Sequence, residues 1–351
     1  MAQVHPYRHP AWYGSVMGTG ALSLALAVQA TTWDCEWLRL GSEAVLVLAT
    51  LLAVVLLPRY TGRLRDRGHL AAELADPAHG AMLATLPAGL LVLATGWGRV
   101  GQELVGRAAA LWTDGILLVI GTLIALVLGV VWSAAMLQGT AGLEGVNGGW
   151  LIPPVMNLLV PLALAPLIAA SPGSAGLLAF VGFAFYGVGL ILFMAIMTLL
   201  IARLALREPL APAMAPSLWI PLAPAGVMGL SLVQLLRAAS ESGVTGFPDV
   251  AGGVLVSAMG LGFGLWWAAF AGVELQRLRR AGGPPRHPGW WGFVFPIAAM
   301  TLSLATVGVL TGIAALQVAG AVATTVLLGV WVLVAVRTFR MGWAPGSQLE
   351  P

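Results

Sequence analysis

Apolar stretches of seventeen or more residues recur from one end of this 351-residue chain to the other. Few folds tolerate that pattern. In hydrocarbon a backbone must pair its own polar groups, so a long uncharged run spans a membrane as a helix of about 20 residues. Charged residues make up only 9% of the chain and hydrophobic ones 59%, against roughly 25% charged in soluble domains. The pattern predicts an all-α integral membrane protein and excludes a soluble globular fold. Ten helices are expected over 11–30, 42–58, 79–96, 114–137, 149–170, 175–203, 216–238, 250–274, 289–311 and 313–338. They form one transmembrane domain over 11–338, with short tails at 1–10 and 339–351.

A membrane-entry phrase recurs along the same chain, most fully as aromatic, short gap, proline. It reads HPAWYGSVMGTG at 9–20, GGWLIPPVMN at 148–157, APSLWIPLAPAG at 215–226 and HPGWWGFVFPIAA at 287–299. The anchors Trp12, Trp150, Trp219 and Trp291 are 138, 69 and 72 residues apart. Since 138 is twice 69, a second copy is due midway, and HGAMLATLPAG stands there at 79–89. Each unit holds two helices, so the ten read as five hairpins with the phrase opening the first helix of each.

Basic residues sort the two sides. All 17 are arginines, 13 in the tails, the loops after even-numbered helices or the last turn of those helices, and 4 in the remaining loops or the last turn before them. Positive charge stays inside, which predicts both termini cytoplasmic in the inner (plasma) membrane. The densest groups, over 59–67 and 277–286, read as topology determinants or, alternatively, as an acidic-lipid or regulatory contact. A net charge of +3 spread over such loops gives no nucleic-acid surface.

Proline separates the helices into two classes. Pro87, Pro153, Pro154, Pro161, Pro166, Pro221, Pro224 and Pro296 all fall on odd-numbered helices, beyond their expected first turns. Even-numbered interiors carry none, Pro58 only closing helix 2. A mid-helix proline removes a donor and frees a carbonyl, which hydrocarbon tolerates only where protein or a water-filled cavity covers it. Helix 1 uses Gly14, Gly18 and Gly20 instead. An inner ring of five odd helices around a pore, inside an outer ring of five even ones, is the expected architecture. Gly260, Gly262 and Gly264 on helix 8 read as a packing face.

The expected pore is neutral. Glu43, Asp114, His79 and Glu274 sit at span ends, and the odd helices carry no charge at mid-span. Proton relays usually need an intramembrane carboxylate or histidine, so passive conduction is favoured. With no acidic ring a cation pore is disfavoured, whereas freed N–H groups and the hydroxyls of Ser15, Thr19, Thr85 and Thr301 suit weak anion binding. Cys35 is the only cysteine, and His5, His9, His69, His79 and His287 lie in loops or at helix starts. Neither a metal nor another cofactor is expected, and no set of catalytic groups converges to suggest an enzyme. Three positions carry open alternatives. Phe295, before the Pro296 kink, is a lumen plug or a packed core residue. Asn157, between Pro153-Pro154 and Pro161, caps a broken backbone or lines the path. Gln234 reads as an interhelical hydrogen bond.

The WYGSVMGTG opening, the W-I/L-I-P phrases of helices 5 and 7, and WWGFVFP on helix 9 together resemble the tellurite-resistance/dicarboxylate transporter family. That family includes bacterial TehA-type proteins and plant guard-cell SLAC-type anion channels. The resemblance covers all ten helices. It implies a homotrimer with one five-helix pore per subunit, gated by a ninth-helix phenylalanine, which falls on Phe295 with Phe293 as the fallback. It implies small anions of the chloride, nitrate, malate and sulfite class as solutes, with membrane lipid as the surroundings. Pore-lining or kink positions would then be Gly14, Gly18, Thr19, Pro87, Pro153, Asn157, Pro161, Pro221, Pro224 and Pro296. The MGTG phrase is nearer the malate-permease and sulfite-efflux branches, and long regulatory tails are missing. A gated anion channel is the leading expectation, and a proton-linked carrier for C4-dicarboxylates or sulfite the alternative.

Overall fold

The computed structural model describes residues 10–139, 142–280 and 288–342. The expected tails at 1–10 and 339–351, and the arginine cluster beyond residue 280, fall largely outside them, as do His5, His9 and His287. Among the described residues there are no strands and ten helical segments long and apolar enough to cross a membrane. The long helices are α1 (Tyr13–Trp33), α2 (Glu36–Thr61), α5 (Thr85–Arg99), α7 (Arg107–Leu137), α8 (Ile152–Ala170), α9 (Ala175–Leu206), α10 (Leu222–Glu241), α11 (Val250–Arg280), α12 (Trp291–Thr311) and α13 (Ala314–Gly342). Shorter α3 (Arg67–Ala75), α4 (Pro77–Leu83) and α6 (Gly101–Val105) flank α5.

Consecutive long helices pair as α1 with α2, α5 with α7, α8 with α9, α10 with α11 and α12 with α13. The first members also pack on one another in a cycle, α1 to α5, α8, α10, α12 and back to α1. Each second member leans on an adjacent first member, α2 on α5, α7 on α8, α9 on α10, α11 on α12 and α13 on α1. Burial follows the same division. In the most apolar 18-residue stretch of each span, 72–89% of residues are buried in the first members and 22–33% in the second. Val54, Val127, Ile191, Leu255 and Val326 point outward from the second members, where apolar side chains are stable only if lipid or another protein surface covers them.

Small residues close the inner seams. A Cβ at Gly226 of α10 would stand 2.5 Å from the carbonyl carbon of Ala299 on α12, so the two backbones are in direct contact. Gly260 fits against the Ala225 backbone and Gly264 against Met300, while Gly262 faces open space; two of the three glycines on α11 thus pack inside the chain. Indole and phenol groups tie outer helices to inner ones. Tyr13 donates to the Ala53 carbonyl at 2.9 Å, and Trp267 Nε1 to the Leu218 carbonyl at 2.7 Å.

The prolines act differently from the sequence expectation. Pro153 and Pro154 lie in the first turn of α8, Pro221 is the residue before α10, and Pro87 and Pro224 are third in their helices. First-turn N–H groups have no intrahelical acceptor, so proline there starts a helix instead of breaking it. The segments before α8 and α10, Gly148–Leu151 and Pro212–Trp219, wind as 3-10 turns. Only Pro161, Pro166 and Pro296 interrupt an inner helix. On the outer side Pro58 lies inside α2, which continues to Thr61. The third span breaks at the carbonyl that Pro87 leaves without its helical donor. α4 ends at Leu83, four residues before Pro87, and the Leu83 carbonyl accepts from the Tyr60 hydroxyl, while Thr85 Oγ1 bridges the junction to the carbonyls of Met82 and Pro10.

Candidate functional site

All five inner helices begin at one end of the bundle, and a cavity of about 260 Å³ opens there. Every inner span contributes to its wall: Gly14 and Met17 of α1, Met82 and Thr85 around the α4–α5 junction, Val155 of α8, Ala223 of α10, and Phe295 and Pro296 of α12. A second, larger vestibule of about 510 Å³ opens among the C-terminal halves of the same helices. Leu24, Thr95, Leu162, Leu230 and Leu302 mark its floor. On α8 the two walls are separated by the stretch from Val155 to Leu162, and on α10 by that from Ala223 to Leu230. Two turns of packed helix, roughly 10 Å along the axis, therefore separate the two cavities. Buried Ala21, Leu158, Val227 and Ala298 fall in that layer.

Parallel inner helices have an electrostatic consequence. The N-terminal ends of all five inner spans face the first cavity, so the positive ends of their helix dipoles turn toward it. The cavity walls add no carboxylate, so the potential there suits an anion. The C-terminal vestibule is different. It carries the negative helix ends together with Asp34, Glu36, Glu43 and Glu103, and its basic residues are Arg39 and Arg99. Arg39 is engaged by Glu36 and by Glu43 at 2.6 Å. Arg99 Nη2 instead donates to a neutral partner, Gln234 Oε1, at 2.6 Å. This bond between α5 and α10 is the interhelical contact expected of Gln234.

The sequence candidates distribute unevenly. Gly14, Phe295 and Pro296 line the N-terminal cavity. Phe293 is set in an aromatic cluster, its ring 5.6 Å from that of Trp219 and 5.5 Å from that of Trp290. Phe295 is buried beside it but makes no ring–ring contact among the described residues. Gly18 lies against Val294, and Thr19 accepts a hydrogen bond from Trp331 of α13. Asn157 Nδ2 donates to the Pro153 carbonyl at 2.9 Å, which is the backbone-capping geometry. Pro87, Pro153, Pro161, Pro221 and Pro224 border neither cavity wall.

Across residues 7–339 the chain matches the family model described as voltage-dependent anion channel, SLAC1. The chain belongs to the SLAC1 anion-channel family. Similar proteins span nearly its full length. An uncharacterized transporter of Methanocaldococcus jannaschii, MJ0576, is 26% identical over 299 residues, covering 84% of this chain and 82% of its own. A sulfite efflux pump, SSU1, of Arthroderma otae is 26% identical over 353 residues, covering 93% and 88% respectively. A second SSU1, from Trichophyton rubrum, is 25% identical over 350 residues, with the same coverage. Family membership and the ten apolar spans together describe a multi-pass membrane protein.

One group in this family member was not foreseen as part of a site. Asp114 was expected at the edge of the fourth span, but α7 begins at Arg107, two turns earlier. The carboxylate is fully buried, with no hydrogen-bond partner on either oxygen. It lies against Gly98, the residue before Arg99, so closely that a methyl group there would overlap it. The arginine group at 59–67 was also read as loop charge. Arg63 is in fact buried, 3.2 Å from Glu73 and stacked over the Tyr60 ring at 4.9 Å.

Proposed function

We propose that the chain moves small inorganic or carboxylate anions along the axis of its five inner helices, with the Phe295 ring as the barrier. The observation that carries this is the placement of Phe295 where the N-terminal cavity meets the packed layer. Phe293 is clamped between two tryptophans, whereas a ring at Phe295 can swing without dismantling an aromatic cluster. Five helix N-termini facing a cavity whose described lining holds no carboxylate favour an anion over a cation. A sulfite efflux pump among the relatives supports the same solute class. The arginine distribution supports both termini on the cytoplasmic side of a cell membrane, which makes the cavity beside Phe295 the inner mouth. The family resemblance adds a homotrimer with one path per subunit.

Reconstituted into liposomes, the protein should pass chloride and nitrate downhill, and Phe295→Ala should raise that flux at least about tenfold, the rate equivalent of ~1.4 kcal/mol. Unchanged flux in a folded Phe295→Ala variant removes the gate. The second reading, a proton-linked carrier for sulfite or malate, is favoured by the buried Asp114 carboxyl beside the vestibule. Uphill uptake of labelled sulfite or malate driven by a pH gradient would decide for it, and purely downhill electrogenic flux against it.

A further inference from the structure

Two charged groups meet across the α5 backbone at the C-terminal vestibule, one in its wall and one buried behind it. Arg99 reaches into it, exposed to the cavity and bonded to the neutral Gln234. On the other side of the α5 backbone, Asp114 is sealed between Gly98 and Pro166 with both oxygens unpartnered. Arg99 directly follows Gly98, the residue this carboxylate lies against. From these observations we propose that Arg99 and Gln234 form an anion-binding site whose occupancy is coupled to a proton on Asp114. The proposal rests on the anion-conducting reading of the same axis but concerns binding, not flux.

The coupling follows from charge alone. A buried carboxylate without a hydrogen bond is stable as an anion only if a nearby cation compensates it. With the vestibule empty, Arg99 supplies that compensation. When an anion docks on the guanidinium, the same positive charge is shared, and the carboxylate takes up a proton, COO⁻ becoming COOH. Protonation in turn releases Arg99 to the anion, because linkage is reciprocal. Without Arg99 the vestibule would repel anions, since helix C-termini face it and its four carboxylates outnumber the one remaining cation, Arg39.

The surrounding charges do not substitute for this pair. On α7 itself, Arg107 opens the helix. Of the elements packed on α7 near Asp114, α5 carries Arg99, α6 carries Glu103, and α8 has no titratable residue. The remaining elements packed on α7 are α3, with Arg67, His69 and Glu73, and α4, with His79. They meet the far half of α7, where Trp132 Nε1 donates to the Pro77 carbonyl. Across the groove on α10, Arg237 is paired with Glu241 at 2.7 Å. Arg39, Glu36 and Glu43 satisfy one another on α2. Asp34 and Glu103, the vestibule carboxylates outside the Arg39 pairs, could imitate Asp114, and Glu103, which stands on an element packed on α7, serves as the control.

Nitrate is the appropriate probe, since it does not titrate between pH 5 and 8. The full-length protein in detergent is stabilised against heat by any ligand that binds its native state, so half-saturation can be read from thermal shifts. Binding should be about tenfold tighter near pH 5.5 than near pH 8, within the usual range for coupled sites. Proton uptake on adding nitrate to weakly buffered wild-type protein should peak at about half a proton per site, the maximum that a tenfold coupling allows, and needs no variant. Asp114→Asn should hold the tight affinity at both pH values and abolish the proton uptake. Arg99→Gln should lose the saturable shift, and Glu103→Gln should behave as wild type. Nitrate binding without proton uptake, or a pH dependence that survives Asp114→Asn or disappears in Glu103→Gln, overturns the proposal. If binding and uptake persist while liposome flux is absent, the site stands and the conduction reading falls.

Discussion

Trp331 Nε1 donates a 2.9 Å hydrogen bond to Thr19 Oγ1, joining the outer helix α13 to the inner helix α1. The hydroxyl is fully buried, so its partner is an indole that would otherwise present an unpaired N–H to hydrocarbon. Thr19→Val removes the acceptor and keeps the shape. Interhelical bonds in membranes are worth about 0.6–1.7 kcal/mol. A double-mutant cycle with Trp331→Phe, read by unfolding of the solubilised protein, should give a coupling in that range. Flux should change little. A large flux change with no coupling would instead place Thr19 in the conduction path.

Gly226 admits no side chain. Its missing Cβ would stand 2.5–2.6 Å from Ala299 C and O and from Met300 N, all backbone atoms. Backbone cannot step aside as a flexible side chain can, so Gly226→Ala must spread α10 from α12. Overpacking of this kind costs about 1–3 kcal/mol, and Gly226→Val should cost more. The expected readout is a lower unfolding temperature with the variant order Gly, Ala, Val. Gly262→Ala, which meets open space, is the matched control and should be neutral.

The two phenylalanines of α12 should separate cleanly. Phe293 fills a cluster with Trp219 and Trp290, so Phe293→Ala leaves a cavity and should destabilise by about 3–5 kcal/mol. Its effect belongs to stability. Phe295→Ala should raise flux with a smaller stability loss. Measuring both properties on both variants distinguishes the gate from its fallback, because exchange of the two outcomes would assign the barrier to Phe293.

Sequence periodicity was sufficient for the five hairpins, because the phrases around Trp12, Trp150, Trp219 and Trp291 mark helix entries of one direction. It led to the right helices for a partly wrong reason. Pro153, Pro154, Pro221 and Pro224 recur because they begin helices, not because they break them. Proline's meaning depends on its distance from a start that hydropathy locates only to within a turn. The same uncertainty hid Asp114. The segment from Arg107 to Thr113 is too mixed to extend an apolar run, yet it is helical, which moves the carboxylate from a span edge into a buried contact. Nor did anything local in the chain announce that Arg99 would meet Gln234, 135 positions away. Such pairs arise from the closed cycle of inner helices, which only three-dimensional packing supplies.

Asp76 gives a pH-dependent test outside the membrane-spanning segments. It precedes α4 and accepts from Ala78 N at 2.8 Å and His79 N at 3.4 Å, while His79 Nδ1 lies 2.7 Å from its other oxygen. Partial burial resists ionisation of this carboxyl, but the His79 ring and the two amides outweigh it and hold it below the ordinary carboxylate range. Its folded value being depressed, the stabilisation is present above the unfolded value of about 3.9 and is lost as pH falls through the lower folded value. Asp76→Asn keeps a competent cap and removes the charge, whereas Asp76→Ala removes both and should cost about 1 kcal/mol. The stability gap between wild type and Asp76→Asn should therefore be visible near neutral pH and shrink to nothing in strong acid. The gap to Asp76→Ala should shrink only in part, since a protonated carboxyl still offers an acceptor oxygen to Ala78 N. Because His79 lines the N-terminal cavity, the alanine variant should also alter anion entry there. A gap between wild type and asparagine that persists undiminished in strong acid would show that the ionised carboxylate does not supply it.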